Sequence, residues 1–177
     1  MNYYGPSQLA DSMRTVRRHT ITIAADIPEE SYDYRPASGS RSVRETLLHI
    51  ASMTRFDLHV YGEQRLDSLE AFDFRAFFAS LPTQENLPKT EILKLLREEG
   101  ERWCFFVENL PESIVAEKVH TRSAIKSRFE MLLGTKEHEM HHRGQLMMIE
   151  RLLGIVPHLT RNRQRTRPEG QKEETKG

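Results

Sequence analysis

Cysteine is nearly absent. Cys104 stands alone among 177 residues, so no intramolecular disulfide can form and no Cys-x-x-Cys zinc or redox motif exists. Long apolar runs are also missing, and nothing approaches the roughly 18 residues that a membrane-spanning helix needs. The opening MNYYGPSQLADSMRTVRRH lacks the apolar stretch of a secretory leader. Charge of one sign is lacking too: 26 Lys and Arg balance 26 Asp and Glu. Non-specific nucleic-acid binding draws on surplus basic charge, so a DNA- or RNA-coating role is disfavoured. Internal repeats and strong strand patterns are absent, although VAEKVH (115–120) alternates weakly and could be extended. These absences leave a cytoplasmic protein without membrane or nucleic-acid partners as the expectation.

What is present is helical periodicity. At roughly 150 residues per domain, the length suits one domain, and a chain this long buries about two-thirds of its unfolded surface. Leu9, Met13, Val16, Thr20, Ile23 and Ile27 recur at spacings of four and three, one face of a helix between Pro6 and Pro28 with Ser7 as its cap. A second helix opens at the capping box Ser42-Val43-Arg44-Glu45 and runs to about Tyr61, before Gly62. A third starts at Thr90 and ends before Pro111. A fourth opens at another capping box, Ser127-Arg128-Phe129-Glu130, and ends at Leu153 with Gly154 behind it. The connections 28–41, 62–89 and 111–126 are long for a bundle. The middle one can cross the bundle, and 66–81 has the pattern of a short helix.

The expected architecture is an all-α four-helix bundle over residues 1–159, with 160–177 as a polar, flexible tail. That tail has no large apolar residue to bury, and its six basic and three acidic residues leave the rest with 20 basic against 23 acidic.

Histidine is where chemistry can gather. In the fourth helix, Met131, Thr135, His138, His142, Gln145, Ile149 and Leu152 form one stripe. It puts His138 and His142 about 40° apart on the helical wheel and about 6 Å apart along the axis. In the second helix, His49 lies in the stripe Thr46, His49, Met53, Phe56, Val60, whereas His59 and His141 fall on flanks. Three neutral imidazoles on facing helices could bind one divalent ion and leave its other positions open. Zinc and nickel head the candidates, with iron, copper and manganese behind them. Core histidines bonded to backbone carbonyls are the plainer alternative, and spacing alone does not bring His49 to the pair. Residues 138–142 also match the zincin pattern His-Glu-x-x-His, with Glu139 as base. The third ligand that pattern needs is missing, since Met148 stands where an extended motif has histidine. Cys104, beside Trp103, reads as packing, and Glu45 and Glu139 read as ordinary surface-helix residues.

Two stretches carry a family resemblance. Tyr34-Arg35-Pro36 through Gly39, followed by Ser42-Val43-Arg44-Glu45-Thr46-Leu47-Leu48-His49-Ile50, resembles the first signature of the DinB/YfiT-like superfamily. Glu137-His138-Glu139-Met140-His141-His142-Arg143-Gly144-Gln145-Leu146, with Leu152-Leu153-Gly154-Ile155, resembles its second. The resemblance spans about residues 5–157. It implies an up-down-down-up bundle with a crossover between helices 2 and 3, and a metal held by His49, His138 and His142. It further implies a metal-dependent enzyme, either a thiol S-transferase using a low-molecular-weight thiol or a hydrolase using water, and often a homodimer. A stress-induced metal- or ligand-binding protein without catalysis is the alternative. There a fourth ligand would close the site, with His19, Glu45 or His141 as candidates.

Overall fold

The computed structural model describes residues 4–81 and 86–166. Seven helices and one small hairpin follow in order: α1 (Pro6–Asp26), α2 (Val43–Asp57), α3 (Phe74–Ser80), α4 (Lys89–Glu108), α5 (Glu112–Val115), β1 (Lys118–His120), β2 (Ile125–Ser127), α6 (Arg128–Leu152) and α7 (His158–Arg165). Four of them, α1, α2, α4 and α6, build the bundle. Their directions follow from their contacts. Tyr4, just ahead of α1, packs on Phe129 at the start of α6, and Arg17 further along meets Glu139, so α1 and α6 run parallel. Asp57 meets Trp103 and Arg55 meets Glu99, so α2 and α4 run together; His49 meets His142 while Asp57 reaches Thr135, so they run against α6. The topology is up-down-down-up, and the link from α2 to α4 is the crossover.

Local chemistry sets the helix ends. Ser42 and Ser127 accept from the amides of Glu45 and Glu130, and those glutamates accept from the serine amides in return. Gly154 takes φ of 77°, a left-handed turn that glycine adopts without strain, and ends α6. The first helix begins earlier than expected, because Gly5 and not Ser7 is the cap. Pro6 has no N–H to leave unsatisfied, and the Gln8 side chain accepts from Gly5 N–H at 3.1 Å. Past Asp57, α2 widens into a π-helical turn over Leu58–Glu63. Of the alternating stretch 115–120, Lys118–His120 forms β1, paired antiparallel with β2, while Val115 ends α5. His120 exchanges backbone hydrogen bonds with Asp67 and Leu69, which ties the crossover to this hairpin. Phe72, Phe74, Phe77 and Phe78 gather around Phe56 as a cover on the bundle.

Two polar locks lie inside. Arg17, 4% exposed, donates to both carboxylate oxygens of Glu139, 2% exposed, and its Nη1 donates to Leu96 O at 2.6 Å. One guanidinium thereby joins α1, α4 and α6. Gly100 makes room for it: a Cβ there would lie 2.8 Å from Arg17 Nη1 and 2.9 Å from its Cγ. Glu139 therefore departs from the surface role read in the sequence. Its spacing did not reveal that an arginine on another helix would meet it. The second lock is Trp103, whose Nε1–H donates to Asp57 Oδ2 at 2.6 Å and joins α4 to α2.

The start of the polar tail also differs from expectation. Residues 160–165 are helical within α7, held by Arg161 to Asp26 at 2.6 Å and by the buried His158 just ahead of them. The ordering comes from a charge on α1, not from an apolar face of the segment itself. Residues 167–177 lie outside the described residues.

Removing one partner of the Arg17–Glu139 pair strands a buried charge. Arg17→Met is therefore expected to lower stability by about 3–5 kcal/mol, and adding Glu139→Leu to restore most of it; urea denaturation of both variants checks this. Glu150 gives a pH test. It is fully buried, and neither carboxylate oxygen has a partner among the described residues. Burial, with Asp26 adding to it, pushes its carboxyl from 4.5 up to about 7. Folded protein thus keeps a proton that unfolded chain has released. The stabilising contribution is whole below pH 4.5 and is lost as pH rises through 7. Glu150→Gln is expected to gain in urea midpoint over wild type from pH 5 to pH 8.

Candidate metal centre

His49 from α2 and His138 and His142 from α6 converge. The Nε2 atoms of His49 and His138 are 3.2 Å apart, and those of His138 and His142 are 3.1 Å apart. One ligand atom from each of the three lies within 4.8 Å of the others. Helical spacing supplies the α6 pair, because residues four apart stack on one face. The antiparallel packing of α2 on α6 supplies the third ring.

The rings sit at the edge of the buried face. On α6 the buried row is Leu132, Thr135, Glu139, His142, Leu146 and Ile149, so the inward stripe expected from the sequence is displaced, and Leu152 is exposed. The displacement follows from α1, which pulls Glu139 inward through Arg17. His138 and His142 are thereby left on the side of α6 that faces α2, next to solvent.

The proton arrangement of these rings is revealing. His142 Nδ1–H donates to Gln145 Oε1 at 2.7 Å, and Gln145 Nε2 donates to His141 at 3.0 Å. The Nε2 of His142 is then a bare lone pair. A proton on His138 Nε2 could serve it, but then no lone pair on that atom remains for His49. Nδ1 of His138 is buried without a partner among the described residues. A cation at the centre would satisfy all three Nε2 atoms at once. The spacing agrees, since zinc–nitrogen bonds of about 2.0–2.1 Å at tetrahedral angles hold donors about 3.3 Å apart.

Electrostatics keeps the rings neutral. Burial lowers the His49 imidazole from 6.5 to about 3, with Arg41 and the neighbouring rings adding to it. Burial and His142 lower His138 to about 4, and burial also lowers His142. Neutral imidazole is the form that binds metal.

The other candidates lie elsewhere. His19 packs against His158, ring centroids 5.2 Å apart. Glu45 pairs with Arg35, and His141 is exposed beside Gln145. His59 contacts Glu63 and stacks on Phe77. Glu139 is engaged by Arg17, so it is not placed as a zincin base. Cys104 is buried, its Sγ 3.5 Å from Ala10 O, and burial pushes its thiol up to about 12. Among the described residues, no fourth His, Cys, Asp or Glu joins the cluster. Gln145 lies in the α6 stripe three residues past His142, a place from which its amide can partner the imidazole. Arg41 carried no signal, because its position depends on a loop fold.

Beside the rings opens a cavity of about 700 Å³. The segment Pro36–Arg41 with Thr46 forms one wall, and His141, His142, Gln145, Met148 and Ile149 form the other. No helix among the described residues is long and apolar enough to cross a membrane.

Comparison with known proteins agrees with this architecture. YjoA of Bacillus subtilis, an uncharacterized protein, is 22% identical over 151 residues, covering 84% of this chain and 90% of YjoA. The crystal structure of YjoA, a DinB-like protein, superposes with a TM-score of 0.65, covering 84% of this chain and 93% of that one. YfiT from Bacillus subtilis is described as a probable metal-dependent hydrolase with an unusual four-helix bundle topology. It superposes with a TM-score of 0.66 at 18% identity, over 88% of this chain and 91% of its own. The model of the DinB family matches residues 1–174. The chain belongs to the DinB family.

Proposed function

We propose that this protein is a metal-dependent enzyme in which His49, His138 and His142 hold a divalent ion that activates a low-molecular-weight thiol or water. The observation that carries the reading is the convergence of three Nε2 atoms beside an open cavity, with no fourth protein ligand among the described residues. A purely metal-binding role favours a closed coordination shell, and none of His19, Glu45 and His141 belongs to the cluster. Such an ion, when bound by three neutral imidazoles, keeps its full charge and lowers the pKa of a coordinated thiol or water. Zinc and nickel suit the all-nitrogen donor set.

The residues of this chain have definable parts. Gln145 holds His142 in the tautomer whose Nε2 points to the cluster. The loop 36–41 and the α6 face from His141 to Ile149 enclose a substrate. Cys104, buried and with a raised pKa, is left out of the nucleophile's role. The thiol would be a substrate, and a reducing cytoplasm would keep both it and Cys104 reduced. The homodimer expectation finds support in Met140, Gly144, Met148 and Leu152. They recur every four residues along α6, all exposed.

Elemental analysis of untagged protein is the first test. About one equivalent of divalent metal is expected in wild type, and its loss in both His49→Ala and His142→Ala. Wild type that takes up no metal on reconstitution would refute the reading. Thiol conjugation and hydrolysis of small esters and amides are then compared on the loaded protein, and turnover in one of them is expected. Gln145→Ala is expected to weaken metal binding about 10- to 100-fold, read by competition with a chelating dye.

A further inference from the structure

The cavity reaches the three-histidine cluster through His142 and has one fixed charge. Among the described residues that line it, Arg41 alone is permanently ionised, and none is Asp or Glu. The arginines that flank it in sequence are both engaged: Arg35 pairs with Glu45, and Arg44 with Asp33 at 2.9 Å. Arg41 is exposed and takes part in no hydrogen bond or ion pair among the described residues. Glu45 feels the Arg41 charge but is bonded to Arg35, which leaves the Arg41 guanidinium to solvent and to whatever enters the cavity.

The segment carrying it is held in place. Arg35 Nη1 donates to Ser40 O at 2.7 Å, while the same guanidinium grips Glu45 in the first turn of α2. Ser40 Oγ donates to Ala37 O at 2.7 Å. Gly39 takes φ of 78°, a turn that carries the chain around to Arg41. Arg41 therefore projects from a loop braced on both sides, and little order remains to be imposed when an anion binds.

Arg41 is also the main donor available at this end of α2. The first amides of the helix are taken: Val43 N–H by Tyr34 O, Arg44 N–H by Tyr32 O, and Glu45 N–H by Ser42 Oγ. Thr46 Oγ1 donates to Ser42 O at 2.8 Å. A phosphoryl dianion would find one guanidinium and no helix N-terminal amides to share its charge. A carboxylate carries a single charge and matches the planar fork of one guanidinium.

We infer that Arg41 is the specificity determinant of the cavity, binding a carboxylate of the substrate while the reacting group lies at the three histidines. The inference rests on the enzyme reading above and narrows it to small molecules that carry a carboxylate. Met148 and Ile149, on the opposite wall, offer apolar surface to the part between the two ends.

The test uses two thiols that differ in charge, 3-mercaptopropionate and its neutral amide, titrated calorimetrically into zinc-loaded wild-type protein, Arg41→Gln, Arg41→Lys and Arg97→Gln. Arg97 is an exposed arginine lining a different cavity, so its variant controls for net charge. Wild type is expected to bind the acid about tenfold more tightly, relative to the amide, than Arg41→Gln does. Arg41→Lys should keep part of that preference and Arg97→Gln all of it. An equal acid-to-amide ratio in wild type and Arg41→Gln would overturn the inference, as would binding of neither thiol to the zinc-loaded protein, or an equal loss in Arg97→Gln. Failure to hold zinc at all would show separately, in the metal analysis, and would strike the enzyme reading instead.

Discussion

A buried ion pair between Arg17 and Glu139 determines how this bundle is assembled. Each partner alone would be a desolvated charge, and their mutual attraction offsets that cost only in good geometry. The geometry here is good: Arg17 makes three donations to Glu139 and one to the backbone of α4, in space that Gly100 leaves open. The pair sets the rotation of α6 as well as its position. Glu139 lies in the buried row, drawn toward α1, so its neighbour His138 and His142 one turn later are turned toward α2. The metal centre is thus adjacent to the strongest internal constraint in the fold. A small slip of α6 about its axis would break the pair and scatter the imidazoles together.

The centre combines protection with access. The three rings are partly or largely buried, which keeps them neutral at pH 7 and ready to donate lone pairs. They nonetheless stand at the border of the core, where a braced loop and the outer face of α6 leave a cavity. Fixed positive charge from Arg41 meets no acidic group among the described residues that line the cavity. A dicationic metal and a guanidinium in one space attract anions, and the two ends of a ligand can be held at different points. Binding groups carried on rigid helices and a pinned loop lose little entropy on engagement, which favours orientation of small substrates.

Much of the fold was legible in the chain. Ser42–Glu45 and Ser127–Glu130 mark helix starts through hydrogen bonds that need no tertiary partner, and Gly154 marks a helix end through its backbone freedom. The four-and-three spacing of apolar residues shows which helices pack. The site was legible in part, because His138 and His142 share a face by helical geometry alone. The facing of α6 was legible less well. Glu139 and Leu152 exchange the expected inside and outside places, since an arginine 122 residues away decides the matter. The helical start of the polar tail was hidden for a similar reason, as Arg161 is ordered by Asp26 of α1.

The sequence by itself determined the local terms: helix boundaries, an i, i+4 histidine pair, the absence of disulfides and the length of the crossover. Each depends on neighbours within a few residues, where backbone geometry fixes distances. Tertiary structure decided what lies between helices: that His49 reaches the pair, that Arg17 claims Glu139, and that Arg41 lines a cavity. Those outcomes depend on the rotation and axial offset of packed helices. Many side chains far apart in the sequence set these jointly, and periodicity along one helix does not contain them.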